Sequence, residues 1–237
     1  MLFFYIRHGD PTYDPDMLTP LGEKQAEAVA KRLSLYGLDR IYASTSNRAQ
    51  QTAAPTCKLL KTEMTVCPWA DEAVAWREFT VPREGGGLTW GFQDPKFISL
   101  FRSAVVRGMG REWYRHPAIP ESFGKGMERV DCAVDDFFLS LGYRHDRENA
   151  RYEVVKPNEE RVALFAHQGF GMSFFSSMMD IPYPIFCTSF DIGHTGMCVV
   201  HFEERDGYVY PKILQMSNDS HLYREGIMTG YHNLIRF

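Results

Sequence analysis

Arg7-His8-Gly9 places a guanidinium, an imidazole and a residue with no side chain together, directly after the apolar, aromatic-rich run 2–6. A second imidazole, His167, follows the apolar run 161–166, and a second guanidinium, Arg48, follows the run 40–44 at the opening of a segment with helical spacing. Short apolar runs bounded by charged or turn residues fit buried parallel strands. A doubly wound sheet binds its ligand outside the carboxyl ends of such strands, so the two histidines can meet there despite their separation in sequence. Two guanidiniums, two imidazoles and a helix N-terminus form a pocket suited to a tetrahedral anion. Phosphoryl transfer needs an in-line nucleophile, fixed donors around the equatorial oxygens and a proton for the leaving oxygen. A neutral imidazole supplies the first near neutral pH, and a carboxyl group must supply the last.

The elements that would position these groups alternate between strand and helix. Thr19-Pro20 reads as a helix cap and first-turn proline for a helix reaching residue 35, with Gly37 as its stop. A second helix is expected over 48–60, with Pro55 implying a late start or a kink. Residues 64–67 form a weaker strand candidate, and 71–91 read as loop, with Pro82 and the glycines 85–87. Helical spacing recurs at 97–106, 126–141 and 170–179, and strands are expected at 197–202 and 208–214 around the Asp206-Gly207 turn. The pattern predicts a three-layer α/β/α fold with a mostly parallel central sheet. The whole chain reads as one domain, with a helical cap inserted over about 90–150.

Several separate segments resemble one family, the histidine phosphatase superfamily in its phosphoglycerate-mutase-like branch. They are the strand leading into Arg7-His8-Gly9, Leu18-Thr19-Pro20-Leu21-Gly22 with Gln25-Ala26, Ser44 with Arg48-Ala49 and Gln51-Thr52-Ala53, and Ala166-His167 with Gly169. The resemblance covers about 1–60 and 160–202. It implies that His8 is phosphorylated as the nucleophile, that Arg7, Arg48 and His167 bind the phosphoryl oxygens, and that no metal or other cofactor takes part. Gln168 after His167 is not the aspartate of the acid-phosphatase and phytase branch.

Glu78, in Trp76-Arg77-Glu78-Phe79 ahead of the glycine triplet, resembles the family's proton-transferring acid; Glu72, Asp71, Glu84 and Asp10 are competitors. Tyr13-Asp14 stands where many relatives have an asparagine, and an additional carboxylate there repels phosphate unless turned away or paired. His116, His145, His194, His201, His221 and His232 show no metal-ligand spacing such as His-Glu-x-x-His, and His194 borders the expected pocket most closely. Trp90, Phe92, Phe97, Phe101 and Trp113 in the cap line a cleft or pack a core. Arg102, Arg107, Arg111 and Arg115 contact acidic substrates or face solvent.

The 237 residues, 44% of them hydrophobic and 24% charged, suffice for one large core. A net charge of -4 argues against nucleic acid and anionic membranes as partners, so positive charge must be local. Five scattered cysteines, an odd number without a Cys-x-x-Cys pair, fit a reducing compartment. The apolar start is too short for a signal core or span, which makes a cytoplasmic location the expectation. The expected activity is hydrolysis of a small-molecule phosphomonoester through a phosphohistidine on His8. The rivals are a phosphoglycerate-type mutase and a phosphate- or phosphoprotein-binding module without catalysis; the oligomeric state is unreadable.

Overall fold

The structure of the protein, a computed structural model, describes residues 1–230, and His232 lies outside them. β1 (Leu2–Arg7) runs into a hairpin of β2 (Pro11–Tyr13) and β3 (Asp16–Leu18), then into α1 (Pro20–Ser34). The Thr19 hydroxyl caps α1 by accepting the Gly22 N–H at 3.1 Å. β4 (Arg40–Ser44), α2 (Asn47–Leu60) and β5 (Met64–Cys67) follow as the sequence predicts, with Pro55 carried inside α2.

The segment expected as loop contains a helix instead, α3 (Glu72–Phe79), and a hairpin of β6 (Thr80–Pro82) and β7 (Leu88–Trp90). Asp71 starts the helix by accepting the Ala73 N–H at 2.7 Å, and Glu72 and Arg77 sit at the ends that complement its dipole. Gly85, Gly86 and Gly87 make the hairpin turn, all with positive φ.

α4 (Pro95–Arg102) and α5 (Ala104–Gly108) replace the single helix expected over 97–106. Ser103 breaks them apart, with an extended backbone and a hydroxyl that accepts the Val106 N–H. α6 (Glu121–Ser140) leads to β8 (Tyr143–Asp146) and β9 (Arg151–Val154), then β10 (Arg161–Ala166), α7 (Gln168–Met178) and α8 (Tyr183–Cys187). β11 (Met197–His201), β12 (Glu204–Arg205), β13 (Tyr208–Val209), β14 (Lys212–Asn218) and α9 (Ser220–Arg224) end the described chain. The strand expected over 208–214 divides at Pro211, which has no N–H for a ladder. Its first part joins β12, β9 and β8 in a small sheet and its second joins the main one.

The main sheet has the order β14-β11-β1-β10-β4-β5. β1, β10, β4 and β5 pair in parallel, and β11 runs antiparallel between β1 and β14. Both faces are covered. Phe3, Tyr5, Val162 and Leu164 pack with residues of α6 and α7, whereas Phe4, Ile6, Ala163 and Phe165 pack with residues of α1 and α2. Burial on both faces explains why these strands read as continuous apolar runs. Within 90–150, α4 and α5 are followed by an α6 whose Phe137 and Phe138 pack on Phe3 of the central strand. The segment closes on the β8–β9 hairpin.

The register decides where the chemistry lies. Arg7 stands opposite Ala166, so His8 and His167 leave adjacent strands at one level, and Phe165 opposite Ala43 brings Ser44 beside them. α1 packs close to the turn after β1: a Cβ on Gly22 would lie 2.1 Å from the Asp10 carbonyl oxygen, and one on Gly9 would lie 2.7 Å from that of Gly22. Gly22→Ala should therefore lower the urea midpoint, with overpacking of about 1–3 kcal/mol outweighing the gain in helix propensity of up to about 1 kcal/mol. A raised midpoint would show that the contact relaxes freely.

Candidate active site

His8 is 3% exposed and held from both ends. Its N–H donates to the Ala166 carbonyl at 2.9 Å, and its ring Nδ1 lies 2.7 Å from the Gly9 carbonyl. A carbonyl oxygen only accepts, so Nδ1 carries the hydrogen and the neutral ring keeps its lone pair on Nε2. Burial first, then the positive charge of Arg7, pushes the imidazole well below its ordinary pKa.

The residues behind the family resemblance tie this loop down. Gly9 N–H donates to the Thr52 hydroxyl at 3.0 Å, Asp10 N–H to Gln25 at 2.7 Å, and Leu18 N–H to Gln51 at 2.7 Å. Side chains of α1 and α2 thus satisfy backbone groups that the tight loop cannot pair with each other.

Arg7 donates from Nη1 to the Ile192 carbonyl at 2.6 Å and from Nη2 to His194 Nε2 at 3.0 Å. Burial lowers the pKa of this guanidinium, and burial beside Arg7 brings His194 down to about 4, which keeps that ring neutral and accepting. Arg48, in the first turn of α2, donates to Asp16 at 2.6 Å and lies against the Tyr13 ring, 5.3 Å from its centroid. Asp16 also accepts the Asn47 N–H, pinning the β2–β3 hairpin to the start of α2. The Nε groups of Arg7 and Arg48 are buried with no acceptor. Asp14, the charge of concern in the sequence, is exposed on the hairpin and does not line the cleft.

His167 is fully buried. The Tyr5 hydroxyl donates to its carbonyl at 2.6 Å, and its Nε2 lies 2.7 Å from the Ser44 hydroxyl. Its Nδ1 is 3.3 Å from both Arg48 Nη2 and Glu72 Oε2. Burial first, then His8, depresses its pKa strongly. The His8 and His167 rings stand 5.2 Å apart by centroid.

The structure places Glu78, the sequence's first choice of acid, outside the cleft. Both its oxygens accept from Arg129 at 2.7 Å, and its Cβ faces Gly126 of α6. Glu72 is the carboxylate that reaches the histidines. Its Oε1 accepts the Gly169 N–H at the start of α7 at 3.0 Å, and its buried Oε2 has no hydrogen-bond donor. Six residues on an α-helix leave the two side chains about 120° apart around its axis, so Glu72 and Glu78 do not face the same site. The signal for Glu72 was the N-cap at Asp71, which makes the segment a helix. Of the remaining competitors, Asp71 caps α3 and accepts from Thr45, Asp10 accepts from Thr19 with its other oxygen 3.5 Å from His194, and the exposed Glu84 lies 3.7 Å from Lys96.

The cleft above these groups, about 690 Å³, is lined by Tyr13, Ala73, Trp76, Arg77, Trp90 and Gln168 in addition to the charged residues. Of the cap aromatics, Trp90 borders it with Phe92 stacked behind, while Phe97, Phe101 and Trp113 pack with Phe123 in a core. Arg102 donates to Thr188, Arg111 pairs with Asp180 and Arg115 with Glu112, none of them at the cleft. His145 is clamped between Asp135 and Asp180. Among the described residues no cluster of three or more His, Cys, Asp or Glu side chains is arranged to hold a metal ion, and no helix is long and apolar enough to cross a membrane.

A family model, histidine phosphatase superfamily (branch 1), matches residues 4–78, which run from β1 through α3. That match covers about a third of the chain, and over those residues the chain is similar to the histidine phosphatase superfamily. Over 135 residues, 54% of the chain, it is 31% identical to the serine/threonine-protein phosphatase Pgam5, mitochondrial, of Caenorhabditis elegans, and the match spans 45% of that relative's length. A mutant phosphoserine phosphatase from Entamoeba histolytica, crystallised with phosphoserine, superposes with a TM-score of 0.59 at 18% identity, covering 93% of this chain and 98% of that one. A mycobacterial glucosyl-3-phosphoglycerate phosphatase with inorganic phosphate gives a TM-score of 0.60 at 17% identity, with the same coverage. At these identities the structural likeness establishes the fold.

The depressed histidines link stability to pH. His8, His167, His194 and His221 stay neutral in the folded chain at pH values where free imidazole, near 6.5, takes up a proton; His221, like His194, is brought to about 4, chiefly by burial. Below about pH 6.5 the unfolded chain therefore binds more protons, and stability falls with pH by up to about 1.4 kcal/mol per unit for each such group. His145 is raised by its two aspartates, so its contribution is complete below 6.5 and is lost only at higher pH. Between pH 7 and 5.5 the unfolding temperature should drop by about 5 °C or more, and His221→Asn should flatten that slope. A flat profile would count against neutral burial of these rings.

Proposed function

We propose that the protein is a phosphomonoester hydrolase that works through a phosphohistidine on His8. The observation that carries this reading is the Nδ1 contact to the Gly9 carbonyl, which leaves a neutral ring with its Nε2 lone pair beside two guanidiniums. In the first step Nε2 attacks phosphorus, the bond from phosphorus to the ester oxygen breaks, and the leaving oxygen takes a proton from Glu72 Oε2. In the second step water attacks the phosphoryl group, the nitrogen–phosphorus bond breaks, and Glu72 takes back the proton that the water loses. Arg7, Arg48 and the Nδ1 of His167 bind the equatorial oxygens, with the Ser44 hydroxyl able to donate to the opposite nitrogen of the His167 ring. Two guanidiniums supply the positive charge that a metal ion supplies elsewhere, so the reading is of a metal-independent enzyme acting on a phosphate ester. The phosphatase names of the relatives agree with it.

p-Nitrophenyl phosphate turnover should be insensitive to EDTA and fall at least about 1000-fold in His8→Ala; an unchanged rate in that variant would remove His8 as nucleophile. Phosphate release measured against transfer between 2- and 3-phosphoglycerate separates hydrolase from mutase. The two carboxylates give opposite outcomes with an alkyl phosphate such as glycerol 2-phosphate. Glu72→Gln should lower kcat by about 100-fold or more, whereas Glu78→Gln should act on the unfolding temperature and leave kcat within about two-fold. The reverse pattern would restore Glu78 as the proton carrier.

A further inference from the structure

We infer that the cleft is built for phosphomonoesters whose leaving group is a planar ring, that is, for aryl phosphates. This rests on the hydrolase reading above and adds the substrate class to it.

The placement follows from the helix that carries the acid. Glu72 and Trp76 are four residues apart on α3, so they share a face and are separated by about 6 Å along the axis. A leaving oxygen that meets Glu72 Oε2 carries its substituent over Ala73, which presents only a methyl group, toward the indole of Trp76. All three residues line the cleft. The indole is 36% exposed, an uncommon state for a residue of that size with a neighbouring apolar wall.

That wall is rigid. Trp90 is 8% exposed and stacks on Phe92 at 5.6 Å. Its six-membered ring lies against Gly169, where a Cβ would come within 2.3 Å of it, so the backbone of α7 holds the ring in place. Trp76 meets Trp90 edge to face, with centroids 5.0 Å apart and planes at 89°. The pair thus forms a right-angled corner with one indole fixed and the other partly open. Tyr13, 69% exposed, borders the cleft on the hairpin that Asp16 ties to α2. A ring bonded to the ester oxygen gains a face or an edge against these surfaces. A serine or glycerol leaving group has no such face and fills little of the roughly 690 Å³.

The experiment compares kcat/KM for phosphotyrosine and phosphoserine in the parent, Trp76→Leu and Trp76→Phe. Each variant is referred to the parent on the same ester, which cancels the intrinsic difference between phenol and alcohol as leaving groups. Trp76→Leu keeps apolar bulk and removes the ring; it should raise KM for phosphotyrosine roughly ten-fold and change phosphoserine by less than about two-fold. Trp76→Phe should recover most of the loss, which a merely structural role for the indole would not produce selectively. Equal losses on both esters, or none on either, would overturn the substrate class while leaving the hydrolase reading intact. A parent protein that hydrolyses neither ester overturns both. A phosphotyrosine peptide tested beside free phosphotyrosine distinguishes the sources: a ten-fold advantage for the peptide assigns the ring to a protein, and equal rates assign it to a free aryl phosphate.

Discussion

Two guanidiniums buried at the same end of one sheet repel each other, and much of the local structure is arranged to hold them there. Arg7 comes from the last position of the central strand and Arg48 from the first turn of a helix. Arg7 is steadied by a carbonyl and a neutral imidazole, Arg48 by the carboxylate of Asp16 and the face of Tyr13. Those partners leave a buried nitrogen unpaired on each. A protein of net charge -4 therefore contains a small region that favours an anion.

Local cationic charge also sets the protonation of the histidines. In water each imidazole would be partly charged at neutral pH. Here burial and the neighbouring guanidiniums hold both rings neutral, and the Gly9 carbonyl decides which nitrogen of His8 carries the hydrogen. The tautomer and the neutral charge of the His8 ring are consequences of one backbone oxygen, of burial and of one cluster of charge. Glu72 enters the same cluster, with one oxygen anchored on the α7 N-terminus and the other 3.3 Å from the His167 ring.

The fold and the anion pocket were readable in the sequence because each rests on a local pattern. Buried parallel strands leave continuous apolar runs, and the residue after each run lies at the sheet edge where ligands bind, which is why His8, His167 and Arg48 could be named together. The carboxylate at the cleft was harder to place. Glu72 and Glu78 lie in the same short helix, and a linear motif cannot tell which side of it faces the site. Reading 71–91 as loop removed the one periodicity, four residues to a turn, that would have separated Glu72 with Trp76 from Glu78 with its partner Arg129. The breaks at Ser103 and Pro211 were visible as residues, but what made them breaks was the packing on either side.

By itself the sequence determined the α/β class, a mostly parallel sheet, the capped start of the first helix and the meeting of Arg7, His8, Arg48 and His167 at one end of that sheet. These follow from periodicity and from short-range capping, which act within a few residues. Tertiary structure alone decided that Asp16 and not Asp14 meets Arg48, that His194 supports Arg7, that Glu72 stands over His167, and that two indoles close a corner of the cleft. Each of these contacts joins segments distant in the chain. Their geometry depends on strand register and helix rotation, which no single stretch of residues encodes.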